Sequence, residues 1–328
     1  MTLNRIFIYL AAVALVLLPA KARSADKIRL GIVSVAAYSW PVWVAEDKGY
    51  FKDENLEVPQ FIVRSVTKSV QALSANSTNL AFPLSADGII RAQVKKAPVT
   101  IIGGGFSKAL YDLIAGPKYK KVEDLRGATM GVINLTSGST ILLQKILSAH
   151  GMSYPKDYDM LMVGGTPDRF AAVKRGGVAA AMVAPPVSFK AVDAGLNIIA
   201  NIGNYLRDYQ FIVIGANTNW LKANGDLAVR FLKAIIRAQR FINNPRNKEE
   251  ATEILRKWQK IKPKYARLSY KMIVEDLKPI PNDGSVSTKA VEQVIKIMVE
   301  RKKLDKAYPV STFVNDSYRQ KALKKLGG

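Results

Sequence analysis

The sequence predicts an α/β protein of two Rossmann-like lobes joined by two crossovers, and three observations carry that expectation. Strand patterns alternate with helix patterns, the alternation recurs after about one hundred positions, and turn residues punctuate both copies at matched places.

The first copy opens on Ile28-Arg29-Leu30-Gly31-Ile32-Val33-Ser34-Val35, a buried-strand pattern ending in a small polar loop. Ala128-Thr129-Met130-Gly131-Val132-Ile133-Asn134-Leu135 repeats it, glycine on glycine. Residues 41–48 and 140–150 then read as helices closed by Gly49 and Gly151, glycine past the last turn being the expected stop. Short strands over 56–63 and 158–163 each feed a further helix, over 68–75 and 168–175. Asn76 and Gly176 turn the chain into last strands that end near proline, at Pro83 and at Pro185-Pro186. The near-constant offset favours duplication over a chance likeness of two β-α-β units.

Residues 99–105 and 110–115 read as strands flanking a loop, with Gly116-Pro117 as a boundary, and 209–215 is another apolar strand. These regions are the expected crossovers. They divide the chain into 23–115 for the first part of lobe 1, 116–208 for lobe 2, and 209–328 for the return to lobe 1 with C-terminal helices. Gly103-Gly104-Gly105 lacks the Lys-Ser/Thr that a phosphate loop requires and reads as a flexible strand exit near the hinge. Further on, Ala228, Phe231, Leu232, Ile235, Ala238 and Ile242 fall at helical spacing, as do Val291, Val294, Ile295 and Met298. Such stripes are core contacts.

At the start of the chain, Arg5 precedes an apolar run from Ile6 to Leu18, broken by Pro19 and followed by Ala20-Lys21-Ala22. This is the pattern of a cleaved signal peptide, residues 1–22, shorter than the roughly 20 apolar residues of a membrane span. Ser24 and Ala25 are neighbouring alternatives for the cut. No later segment is apolar for long enough to cross a bilayer, so a soluble mature chain is expected. The chain has no cysteine, hence no disulfide framework and no lipid-anchor cysteine. A free periplasmic protein, held together by its core, fits best.

The formal charge is +23, and from Leu221 onward 25 Lys and Arg stand against 11 Asp and Glu. Solvated helix faces account for this first, and a patch for anionic surfaces second. No nucleic-acid motif is present, so nucleic acid is not an expected partner. His150 is the single histidine and reads as a surface residue at a helix end. One histidine without cysteine assembles no Cys-His pair, ordinary triad or His-based metal cluster, so neither catalysis, metal nor cofactor is expected.

Trp43-Val-Ala-Glu-Asp-Lys-Gly-Tyr-Phe-Lys-Asp-Glu-Asn-Leu-Glu-Val58 resembles the opening signature of type-II periplasmic binding proteins. Lys121-Val-Glu-Asp-Leu-Arg-Gly127 is similar to the start of lobe two in the group that binds sulfonates, taurine, nitrate, aromatic acids and thiamine-pyrimidine precursors. Asn55 stands where the family usually has glycine, and asparagine also tolerates a left-handed turn. Asn79 and Ala179 replace a frequent aspartate. The resemblance implies a monomeric clamp that captures a small organic anion, of sulfonate or carboxylate type. It would deliver this ligand to an ABC permease in the inner membrane. A ligand-sensing role for a membrane receptor is an alternative. So is a pyrimidine-synthase-like enzyme of the same fold, whose cysteine-rich motif is absent.

Ligands of open parallel sheets bind outside the carboxyl ends of the strands. That rule selects Ser34, Tyr38, Ser39 and Trp40, then Leu84, Ser85 and Ala86, then Thr136, Ser137, Gly138, Ser139 and Thr140. Thr166, Pro185 and Tyr209 complete the expected ring. The 136–140 loop has hydroxyls and a glycine at a helix start, suited to an anion, although the same residues also make an ordinary N-cap. Tyr38 and Trp40 offer flat faces to an organic ligand, or pack into lobe 1. No Arg or Lys stands at the centre of these loops. Dipoles and hydroxyls are therefore the expected anion holders, favouring a ligand of modest charge.

Overall fold

The computed structural model describes residues 24–327, and the expected signal peptide lies outside them. The chain opens with β1 (Asp26–Lys27), β2 (Leu30–Ile32), α1 (Trp40–Asp47) and α2 (Tyr50–Asp53). Next come β3 (Leu56–Glu57), β4 (Gln60–Ile62), α3 (Val66–Ser74), β5 (Leu80–Ser85), α4 (Ala86–Val94) and β6 (Val99–Phe106). The second sheet is built from β7 (Asp112–Ala115), β8 (Thr129–Val132), β9 (Asp159–Met162), β10 (Ala180–Val183) and β11 (Asn197–Asn201). Helices α5 (Gly138–Ala149), α6 (Thr166–Lys174) and α7 (Phe189–Asp193) join its strands. The chain returns through β12 (Ile212–Asn217), α8 (Thr218–Asn243), α9 (Lys248–Gln259), α10 (Pro263–Tyr270), α11 (Thr288–Glu300) and α12 (Ser317–Lys325).

The two five-stranded sheets have matching orders, β4-β2-β5-β12-β6 and β9-β8-β10-β7-β11. In each, four strands run in one direction and one, β12 or β7, runs antiparallel between the third and the last of them. The repeat extends to the register. Gly31 lies opposite Phe61 and Ala81, while Gly131 lies opposite Leu161 and Ala181. Hydrogen bonds between strands fix which faces are buried, so matched register means matched inward faces in both lobes.

Three expectations change. The strand read over 56–63 is two strands, β3 and β4, divided at Val58-Pro59, since proline gives a ladder no N–H. Residues 112–115, assigned above to lobe 1, form β7 and pair with β10 and β11 of the second sheet. The triple glycine is not a loose exit but lies inside β6. A Cβ on Gly104 would fall 1.9 Å from the Ser285 carbonyl oxygen, so a close backbone approach requires glycine there.

The chain crosses between sheets twice, after β6 and after β11, and the two links pair. Tyr209 N–H donates to the Ser107 carbonyl at 3.3 Å, and Phe211 N–H to that of Phe106 at 3.1 Å. Helix α8 buries Phe231, Leu232, Ile235, Ala238 and Ile242 against lobe 1, the stripe read from the sequence. Each of the larger side chains, Phe231, Leu232, Ile235 and Ile242, contributes about 1.5–3 kcal/mol by leaving water. Asn55 adopts φ of 51°, the left-handed turn expected of it.

Candidate functional site

The carboxyl ends of both sheets face one another, and the space left between them is narrow, about 40 Å³. Ser34, Tyr38, Ser85, Ser137, Gly138 and Ser139 line it, together with Tyr111, Arg169 and Phe211. The lobes touch across it. Ala37 N–H donates to the Pro185 carbonyl at 3.3 Å, and Arg301 donates to the Gln144 side-chain oxygen at 2.7 Å. The chain is therefore in a closed arrangement.

Lobe 2 supplies the polar wall. Ser137 caps α5, its hydroxyl accepting from Thr140 N–H at 3.3 Å. The first N–H groups of α5 have no carbonyl within the helix to accept them, and the helix dipole adds partial positive charge. Arg169 lies on the buried stripe Thr166, Arg169, Ala172 and Val173 of α6 and is only 3% exposed. Its guanidinium donates to the Ser139 hydroxyl at 3.0 Å and to that of Thr166 at 3.3 Å. Its Nε finds no partner among the described residues, and no carboxylate pairs with it. Of the buried acids, Asp87 pairs with Arg91 through Oδ2 at 2.5 Å while its Oδ1 has no hydrogen-bond partner among the described residues, and Asp112 accepts from Asn201 at 2.7 Å.

Lobe 1 and the crossovers supply the aromatic wall. Tyr38 packs on Phe106 edge to face and on Phe211 and Tyr111, with ring centroids 5.0–5.9 Å apart. The Arg169 guanidinium sits 5.6 Å from the Tyr111 ring centroid. Burial pushes both phenols above their usual range, so Tyr38 and Tyr111 stay neutral at ordinary pH. The Tyr38 hydroxyl accepts from Leu110 N–H at 2.7 Å, which ties this ring to the first crossover. Ser85 precedes α4 without capping it, and its buried hydroxyl has no partner among the described residues.

Other expected residues lie off the cleft. Trp40 is fully buried in lobe 1, donating from Nε1 to the Ala251 carbonyl at 3.0 Å and standing edge-on to Tyr270. Ser39 faces a separate pocket with Trp43 and Trp258. Leu84 and Ala86 are packed inward, and buried Tyr209 lies behind Phe211. Thr136 is exposed and bonded to Asn134, while Thr140 donates to the Asn134 carbonyl at 2.6 Å. Thr166 supports Arg169 from behind, and Pro185 makes the contact between lobes. The expectation that dipoles and hydroxyls alone would face an anion is overturned, because α6 carries Arg169 into the cleft. The signal was present in the sequence as a charged residue at the apolar spacing of α6. Tyr111 and Phe211 lie on the crossover stretches 110–115 and 209–215, of which only Tyr209 is among the expected site residues.

The chain belongs to the NMT1/THI5-like family, whose model matches residues 36–248. YtlA of Bacillus subtilis (strain 168), whose name gives it as a candidate binding protein, is 25% identical over 303 residues. That match covers 90% of this chain and 89% of YtlA. The nitrate-binding protein NrtA of Synechocystis PCC 6803 superposes with a TM-score of 0.78 at 16% identity, over 92% of this chain and 89% of NrtA. The alkanesulfonate-binding protein SsuA of Xanthomonas axonopodis pv. citri, bound to MOPS, gives 0.71 at 17% identity, over 90% and 100%. The fold is that of the periplasmic binding proteins.

Proposed function

We propose that this chain is the periplasmic solute-binding component of an ABC importer and captures a small organic anion, sulfonate or carboxylate, by lobe closure. The observation that carries this reading is Arg169, a buried guanidinium with no carboxylate partner among the described residues. Taking a charge out of water costs several kcal/mol unless an opposite charge meets it, and an anionic ligand supplies that charge. The α5 N-terminus and the Ser85, Ser137 and Ser139 hydroxyls surround the same point. Tyr38, Tyr111 and Phe211 suit an apolar body attached to the anionic group. A body of more than a few heavy atoms holds the lobes further apart than the present 40 Å³ allows. The relatives' names support the same class, since NrtA binds nitrate and SsuA alkanesulfonates.

The mechanism is a clamp. Ligand meets one lobe in an open form, the paired crossovers bend, and Arg169 and the aromatic wall close over the anion. The test is a thermal-shift screen of sulfonates, carboxylates, nitrate, amino acids and pyrimidines. A ligand at a hundredfold over its Kd should add about 2.7 kcal/mol. A shift confined to neutral or cationic compounds would refute the anion reading.

A further inference from the structure

A second concave site shares no lining residue with the cleft. Where the α9–α10 corner of lobe 1 meets α6 and α7 of lobe 2, a crevice of about 450 Å³ opens. Lys174 and Lys190 reach it from lobe 2, Lys260 and Lys262 from lobe 1. Among the described residues none of these four ammonium groups makes a hydrogen bond or a contact ion pair, although Lys262 acts on the Asp193 carboxylate through its charge. The one acid in the lining, Asp193, accepts from Lys264 and from the Tyr265 hydroxyl, both on α10. Those two contacts clasp the lobes together. Beneath them Ile261, Tyr265 and Ala266 pack with Phe189 into a small apolar cluster.

Four ammonium groups with no hydrogen bond or contact ion pair, set around one concavity against a single acid, raise the local potential, and an anionic guest relieves it. Lysines are point charges on flexible stems, without the planar fork that clamps a single carboxylate or phosphate. They suit several carboxylates spread along a chain, with the apolar floor taking the side chains between them. A bilayer surface, by contrast, meets convex faces rather than a floored crevice. We propose that this seam docks an acidic segment of a partner protein. It does so only while the lobes are closed, because each lobe supplies half of the lysines. The proposal is independent of which solute fills the cleft.

The probe is a fluorescein-labelled peptide of Glu and Leu, followed by anisotropy with the full mature chain at low and at physiological salt. Reversing either pair, K174E/K190E or K260E/K262E, should weaken binding about tenfold, and reversing all four should abolish it. A reference variant, K68E/K156E/K303E/K324E, should bind nearly as well as the parent, since these exposed lysines lie outside the seam. Lys→Gln versions of the seam pairs should follow the same order with smaller losses, which separates recognition from any folding defect. The variant D193N provides the sharpest arm. Simple charge predicts tighter peptide binding when an acid leaves the crevice, whereas closure-dependent docking predicts weaker binding because the clasp is lost. Tighter binding by D193N, equal loss in the reference variant, or no saturable binding by the parent overturns the proposal. So does capture of phosphatidylglycerol vesicles by the parent with no binding of the peptide.

Discussion

Helices α3 and α6 occupy the same place in the repeat, residues 66–74 and 166–174, and each buries the residue three positions past its start. In lobe 1 that residue is Ser69, fully buried, with no partner for its hydroxyl among the described residues. In lobe 2 it is Arg169, which reaches Ser139 and the cleft. The strands before them share one register, so the difference is of side chain, not of backbone. A duplicated scaffold thus becomes an asymmetric receptor. One lobe carries the charge, and the other, with the crossovers, carries aromatic surface.

Removing that charge breaks the comparison most severely. R169M makes the two lobes alike in lacking a cation at this position. It should lower affinity for the organic acid that most stabilises the parent by about a hundredfold, in the range for losing one partner of a buried charge pair. Without ligand, the same variant should melt at or above the parent temperature, because an unpaired buried cation has been replaced by an apolar side chain. Calorimetric titration and ligand-free melting check the two halves separately. Unchanged affinity would remove Arg169 as the anion receptor.

A second contrast lies within one loop. Tyr38 and Trp40 stand two residues apart, yet Tyr38 lines the cleft and Trp40 fills the core of lobe 1. W40F deletes the bond to the Ala251 carbonyl and leaves that acceptor buried, at a cost of about 1–3 kcal/mol in urea unfolding. Ligand affinity should not move. A variant of normal stability with weakened binding would put Trp40 back among the ligand residues.

The repeat made much of this legible. Gly31 and Gly131 align from sequence alone, and in the sheets they hold matched register positions opposite Phe61 and Leu161. The cleft was legible as a set of loops, because strand ends can be read from apolar runs. Its chemistry was less so. Arg169 sits on a helix rather than a loop, and only its place on the buried stripe marks it as inward-facing. Trp40 was ambiguous for the opposite reason. Its partners, Ala251 and Tyr270, are more than two hundred residues away in the chain, and no local pattern announces them.

Gly138 marks where the lobes touch. A Cβ on it would lie 2.8 Å from Asp87 Oδ1 and 3.0 Å from the Phe211 ring, and Asp87 is held by Arg91. G138A should therefore stop closure short and weaken ligand binding about tenfold. Alanine favours the helix by roughly 0.5–1 kcal/mol, so ligand-free lobe 2 should not lose stability. Small-angle scattering with ligand should give a larger radius of gyration than the parent. Full compaction with unchanged affinity would show that the contact yields.

The smallest effect tests the comparison from the other lobe. If the site in α3 is a purely structural counterpart of Arg169, the Ser69 hydroxyl has no role toward ligand. S69A then removes a buried polar group without a protein partner and deletes one oxygen from a well-packed place. Leaving such a hydroxyl unsatisfied costs about 1–3 kcal/mol, and the small space left by its removal offsets part of that gain. The net expectation is a slight rise in melting temperature with an unchanged Kd. A loss of stability would mean that Ser69 is bonded in solution. A loss of affinity would mean that lobe 1 contributes a polar contact through the same repeat position as Arg169. The receptor would then be less one-sided than the two helices suggest.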